Sequence, residues 1–507
     1  MKMVKSAFLA SAAGLVAMSG AQAADLPVKA KPVEYVKVCS LYGAGFYYIP
    51  GTDICMKVGG YIRWQESAGI GSSISGGPFA GTGGRATRAD SQDFAQRTRA
   101  VATFDTRQQT AYGTLRTYLL MGFSQDSTSA ASTSPSVYMT RGFIQIAGFT
   151  FGKATSFFDF VSTAAVAYNA GMLHNSDTGD AGAMVAAYTA QFGNGVSATI
   201  SAEQSRRKGT VDLTSGTALY SLATLTNPTG SNAQGLSAAS VGQQDIVGAL
   251  RIDQAWGSAQ VSAAAHDVGA SYYSTGGANC TTGTLECNGH PGSKWGWAAS
   301  AGLRLNAPMI GAGDYFQIMG IYSVGATGYL SQTPSGNAWN KWSGNTVGYG
   351  FWEDAVFTNT AGATGGGIEL TTGWSMFASY EHFWTPSLRT SLYGTYVELK
   401  HNGTAKTAIC NTQTAANSGY QGAVGGACNP DFSSWAIGSR SQWNVTKDLY
   451  VGLDVIYMKL NSASSGLGTI ATAASGAKPA SATAGLYTVA DQDAVAATWR
   501  IHRDIVP

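Results

Sequence analysis

The sequence predicts an all-β protein: a transmembrane, antiparallel, up-and-down β-barrel of sixteen strands with its third loop folded inward. Three observations predict it. The connections between candidate strands alternate between long and short. The strands carry a two-residue repeat with charge on one face only. The chain opens with an export segment.

Sixteen candidate β-segments lie between residues 57 and 500. Long gaps fall at 66–93, 122–136, 156–182, 205–241, 267–293, 325–367, 401–431 and 460–485, and short ones at 106–110, 148, 193–194, 254–256, 306–312, 383–385 and 446. Long, short, long to the end is the order of a closed meander whose termini share one side. Bacterial outer-membrane barrels have even strand numbers, short periplasmic turns and long outer loops.

Side chains alternate faces along a strand. In residues 58–65, Val58, Ile62 and Trp64 oppose Tyr61, Arg63 and Gln65. In residues 96–104, Thr98, Ala100, Ala102 and Phe104 oppose Arg97 and Arg99; further on, Leu115, Leu119 and Met121 oppose Arg116 and Tyr118. Ile246, Leu250 and Ile252 oppose Arg251 and Asp253, Leu388 and Leu392 oppose Arg389 and Tyr393, and Leu453 and Val455 oppose Asp454. A charge at the lipid midplane costs about 2–4 kcal/mol, so the charged faces must look inward, onto a water-filled lumen. A soluble sheet with one wet face would also alternate, but it would not account for one-sided long loops behind an export signal. Tyr47, Tyr48, Phe46, Trp64, Trp256, Trp384, Trp443 and Trp499 lie near strand ends or turns, where aromatic girdles form at membrane interfaces.

Lys2 and Lys5 precede the apolar run Ala7–Met18, and Ala21-Gln22-Ala23 is a small-x-small cleavage site. Residues 1–23 therefore read as a signal peptide, residues 24–56 as a periplasmic-side segment with a cysteine pair, and residues 57–507 as the barrel. Only 12% of residues are charged and 65 are Gly, against about 25% charged in a soluble chain. Beyond residue 24 no run of about 20 apolar residues is long enough for a spanning helix. Only helices and closed barrels satisfy their backbone within lipid. Removing Lys2 and Lys5 from the 31 basic residues leaves 29 against 29 acidic ones, which gives no support to a nucleic-acid partner.

The six cysteines form three sequence-local pairs, Cys39 with Cys55, Cys280 with Cys287 and Cys410 with Cys428. Locality favours these pairings among the many that six cysteines allow, and an oxidising compartment would keep them paired. No CxxC or Cys/His spacing suggests a metal, and no cofactor is expected. The histidines are scattered, and no nucleophile elbow or phosphate loop is present, so an enzyme is not expected.

The third long connection carries Phe157-Phe158-Asp159-Phe160, then Asp177 and Asp180. Folded inward, its carboxylates would face Arg63, Arg97, Arg99 and Arg116 across a constriction, and such charged rings set selectivity. The alternatives are that the acids solvate an outer loop and the arginines serve wall salt bridges or subunit contacts. The Arg206-Arg207-Lys208 run reads as a solvated or lipopolysaccharide-facing patch.

Residues 33–65, VEYVKVCSLYGAGFYYIPGTDICMKVGGYIRWQ, and 140–160, TRGFIQIAGFTFGKATSFFDF, resemble the alphaproteobacterial general porins of the Brucella and rhizobial type. The resemblance implies a sixteen-stranded homotrimer in the outer membrane that passes small hydrophilic solutes and ions passively, and it supports Cys39–Cys55. A substrate-specific channel for anions or sugars, or a non-channel adhesin, are the alternatives. Many outer-membrane barrels end in a terminal Phe or Trp read by the insertion machinery; this chain departs from that pattern, because eight residues follow Trp499. A short tail after the last strand or a shifted insertion signal would account for that.

Overall fold

The computed structural model describes residues 37–70, 78–79, 94–127, 135–179, 181–213, 244–270, 290–331, 338–357, 366–413, 420–422, 428–466, 468–471 and 486–505. The expected signal peptide, Asp180, Cys280 and Cys287 lie outside them.

The chain divides into two units at Met56/Lys57. In the first, Tyr47–Tyr48 pairs antiparallel with Cys55 and Met56. Cys39 and Cys55 form a disulfide with a Cα–Cα separation of 6.0 Å, and both are buried against Phe46.

In the second, sixteen antiparallel strands close on themselves. They are β1 (Cys55–Ala68, which starts at the boundary), β2 (Phe94–Thr110), β3 (Gly113–Asp126), β4 (Ser136–Ile146), β5 (Phe149–Ala154), β6 (Ala183–Gly193), β7 (Val196–Glu203) and β8 (Asp245–Gln254), followed by β9 (Gly257–Val268), β10 (Lys294–Asn306), β11 (Tyr315–Val324), β12 (Thr372–Phe383), β13 (Leu388–Lys400), β14 (Phe432–Asn444), β15 (Leu449–Asn461) and β16 (Gln492–Asp504). Closure comes from β1 against β16, with Trp64 opposite Ile501. The alternation of long and short connections holds throughout. β2 runs past the expected turn at 106–110 to Thr110, and Trp499 lies within β16 rather than at its end. Most of the residues beyond Trp499 therefore complete the last strand.

The face assignments follow the two-residue repeat. Leu453 and Val455 are 46% and 42% exposed on the outer surface, whereas Asp454 between them is fully buried inside. A register shift between Leu120 and Met121 accommodates an extra residue near Thr140 in β4. Such bulges re-aim side chains, and the residue that follows, Arg141, reaches the base of the third loop.

Among the described residues, several outer connections carry regular structure of their own. Ala338–Ser343 and Thr346–Phe351 form a hairpin, and Leu486–Val489, Gly468–Ala471 and Tyr420–Gly422 extend it into a small sheet. Thr210–Asp212, Ala355–Phe357 and Ile368–Leu370 make another. A helix, α1 (Gly403–Gln413), follows β13, and Cys410–Cys428 ties its end with a Cα–Cα separation of 5.7 Å. Trp339, Tyr349 and Trp352 are buried in one apolar cluster with Phe158, Leu173 and Tyr329. The described part of the connection between β11 and β12 thus packs down onto the third loop.

Candidate functional site: the third loop and the arginine wall

The third loop, residues 155–182, starts between β5 and β6 and crosses the lumen. Near its start, Phe157 N–H donates to Glu203 of β7 at 2.9 Å. Gln260 of β9 donates to the carbonyls of Phe157 and Asp159. Further on, Arg440 of β14 donates to the Ala165 carbonyl at 2.7 Å, and Ser391 of β13 to that of Val166. The N–H groups of Tyr168 and Asn169 both donate to Oδ2 of Asp454 on β15, at 2.6 and 2.9 Å. Thr498 of β16 donates to Asn169, and Thr395 of β13 to the His174 carbonyl. Two glycines make room for this crossing. A Cβ on Gly302 would sit 2.3 Å from Phe160, and one on Gly452 would sit 2.2 Å from the Tyr168 hydroxyl.

A chord from β5 and β6 to β13–β16 divides the barrel's inner wall. On one side the inward residues are covered: Gln260, Phe377, Glu381, Tyr393 and Arg440 are all buried. On the other, the inner faces of β2 and β3 remain half-exposed along much of their length. Arg63, Arg97, Arg99 and Arg116 share that second wall but not one level of it: Arg116 lies opposite Arg107 next to the short turn, whereas Arg97 lies opposite Asp126 at the other end of the β2–β3 pair, roughly 33 Å away along the strand.

These arginines differ in their partners. Arg97 grips Asp126 with two bonds, Nε to Oδ1 at 2.5 Å and Nη2 to Oδ2 at 2.5 Å. Arg116 and Arg107 converge on Asp105 at 3.0 and 2.9 Å. Arg99 lies over the Tyr138 ring and Arg63 over Tyr61. Wall salt bridges therefore hold Arg97 and Arg116.

The acidic side of the expected constriction is arranged differently. Asp159 pairs with Arg206 at 2.9 Å and accepts from Ser176 and Thr178. Burial pushes its carboxyl up, but Arg206 and the two hydroxyls outweigh this and hold it below the usual carboxylate range. Asp177 accepts from Thr163 and from Gly179 N–H within the loop; burial and the neighbouring Asp159 charge push its carboxyl up. Both carboxylates shape the loop instead of facing the arginines. Arg206 corrects the reading of a solvated basic patch: its side chain is 12% exposed, and Lys208, pushed down to about 8 by burial against the pull of Asp354, is enclosed with it. His174 stacks on Trp352 with ring centroids 5.7 Å apart, and burial pushes it down to about 3, so it is neutral in the loop.

The residues that pin the loop, Asp454, Arg440, Ser391 and Thr395, were not singled out as a set in the sequence. The two-residue repeat places Asp454 inward, as the lone acid of β15, but no local signal pairs it with the third loop. Asp105 and Asp126 share the inward phase of the arginines, but only the strand register places Asp126 opposite Arg97.

Residues 25–496 match the model of a porin subfamily. The chain belongs to that subfamily. This porin is 34% identical over 224 residues to the porin Omp2a of Brucella ovis, across 40% of this chain and 59% of the relative. To Omp2b of Brucella canis it is 35% identical over 214 residues, across 40% and 54%. The match thus spans little more than half the length of these curated relatives. In fold the porin is similar to the outer-membrane channel DcaP of Acinetobacter baumannii, with a TM-score of 0.56 at 11% identity over 90% of this chain and 99% of that one. Its closed barrel is that of an outer-membrane protein.

Proposed function

We propose that this porin is a general diffusion channel, passing small hydrophilic solutes and ions passively through the outer membrane as a homotrimer. The observation that carries the reading is the unequal exposure of the inner wall. The third loop and the connections above it bury most of the inner faces of β12–β14, whereas much of the inner faces of β2 and β3, the arginines included, stays half-exposed. Half-exposed arginines on an inward face need water beside them, because a desolvated charge is costly. The water path then runs between the third loop and β1–β4, with Arg63, Arg97, Arg99 and Arg116 along it. Asp159 and Asp177 act there through the loop's shape, and Asp105 and Asp126 are the wall's own countercharges.

The test is single-insertion conductance in a planar bilayer. Stepwise conductance that closes in thirds at high voltage supports an open trimer. No conductance from protein verified as folded refutes the channel.

A further inference from the structure

Arg500 of β16 is 7% exposed, and its partners are all neutral. It donates to Gln65 Oε1 at 3.0 Å and to the Tyr168 carbonyl at 3.4 Å. It also bonds the Tyr450 hydroxyl and lies 4.1 Å from the Tyr168 ring centroid. Its Nε meets no acceptor among the described residues. The two carboxylates closest in register are engaged elsewhere. Asp454 holds Tyr168, Asn169 and Tyr393, and Asp504 takes His502 Nε2 at 3.1 Å.

A second guanidinium shares this face. Arg63 pairs in register with His502, and Gln65 with Arg500, so Arg63 and Arg500 are diagonal neighbours, about 7–8 Å apart at their Cα atoms. His502 is held between the Tyr61 and Tyr450 rings, with centroids 4.5 and 4.6 Å away, and its Nδ1 also meets no partner among the described residues. A buried cation beside a like charge, with only neutral acceptors, is an expensive arrangement. Guanidinium forks match the geometry of carboxylate and phosphate oxygens. Arg63 is half-exposed and opens this patch toward the β1–β4 side.

The geometry points to a binding site for a small oxyanion, a phosphate or a carboxylate solute, between Arg63 and Arg500 beneath Tyr168. The site rests on the water path proposed above, since the anion must reach Arg63 from the lumen. There it would hold anionic solutes briefly at the edge of the constriction.

The test is calorimetric titration of inorganic phosphate into the folded, detergent-solubilised protein, which needs no conduction and so stands apart from the channel reading. Saturable binding is expected, weakened about tenfold or more by Arg500→Gln and by Arg63→Gln. Arg500→Lys should retain part of it. If Arg500→Gln does not fold, the half-exposed Arg63→Gln carries the comparison. Wild-type protein without saturable binding, or folded glutamine variants that bind as wild type does, would overturn the proposal. In bilayers, phosphate should also reduce chloride current in the wild type more than in Arg63→Gln, and equal reduction would count against the site.

Discussion

Replacing Asp454 by Ala should loosen the tip of the third loop without unfolding the barrel. Its carboxylate accepts the N–H groups of Tyr168 and Asn169 on one oxygen and the Tyr393 hydroxyl, at 2.5 Å, on the other. Three buried donors lose their acceptor in the variant. Each costs about 1–3 kcal/mol, so roughly 3–6 kcal/mol is lost where the donors can partly rebond. At about 1.4 kcal/mol per tenfold, the open population of residues 165–170 rises by two to four decades. The loop does not leave the lumen, because Arg440 still holds Ala165 and Thr395 still holds His174. The assay is single-channel recording: excess current noise and voltage closure at a lower threshold are expected in Asp454→Ala, with Asp454→Asn intermediate. A folded Asp454→Ala channel with wild-type noise and threshold would refute this account of how the loop is held.

Replacing Arg97 and Arg99 by Ser should raise conductance and move the reversal potential under a salt gradient toward cation preference; an unchanged potential would remove them from the ion path. Replacing Gly452 by Ala forces Tyr168 off β15 and should alter conductance in the same assay while leaving strand content, read by circular dichroism, intact. His401, between Glu353 and Asp431, is pushed up to about 9, because the two carboxylates outweigh the burial that would push it down. Its folded value is raised, so its contribution to the outer connections is full below about 6.5 and is lost as pH rises through about 9. Protease sensitivity of those connections should increase over that window, and His401→Gln should flatten the profile. Replacing Cys410 and Cys428 by Ser removes a constraint worth about 3 kcal/mol in the chain-entropy account. Cleavage near α1 should rise while the barrel's heat-modifiable mobility stays unchanged.

The barrel itself was legible in the sequence. Each strand repeats every two residues, and lipid on one side penalises any charge out of phase. Arg63, Arg97, Arg99 and Arg116 fall on the inward face for that reason, and so does Asp454. The strand ends were less legible. Neither Thr110 nor Asp504 differs in type from its neighbours enough to mark where pairing stops.

The third loop shows where local reading runs out. Its position was readable from the gap at 156–182 and its aromatic-acidic run, but the partners of its acids were not. Asp159 finds Arg206, 47 residues away, and Tyr168 finds Asp454, 286 residues away. Irregular backbone has no period to fix where a side chain points, so these pairings depend on how far the loop crosses before its N–H groups meet an acceptor. The sequence alone determined the number of strands, their inward face and the charge on that face, because lipid enforces them residue by residue. The tertiary structure alone decided which charges face water and which are spent holding the loop, because that depends on contacts between segments that are remote in the chain.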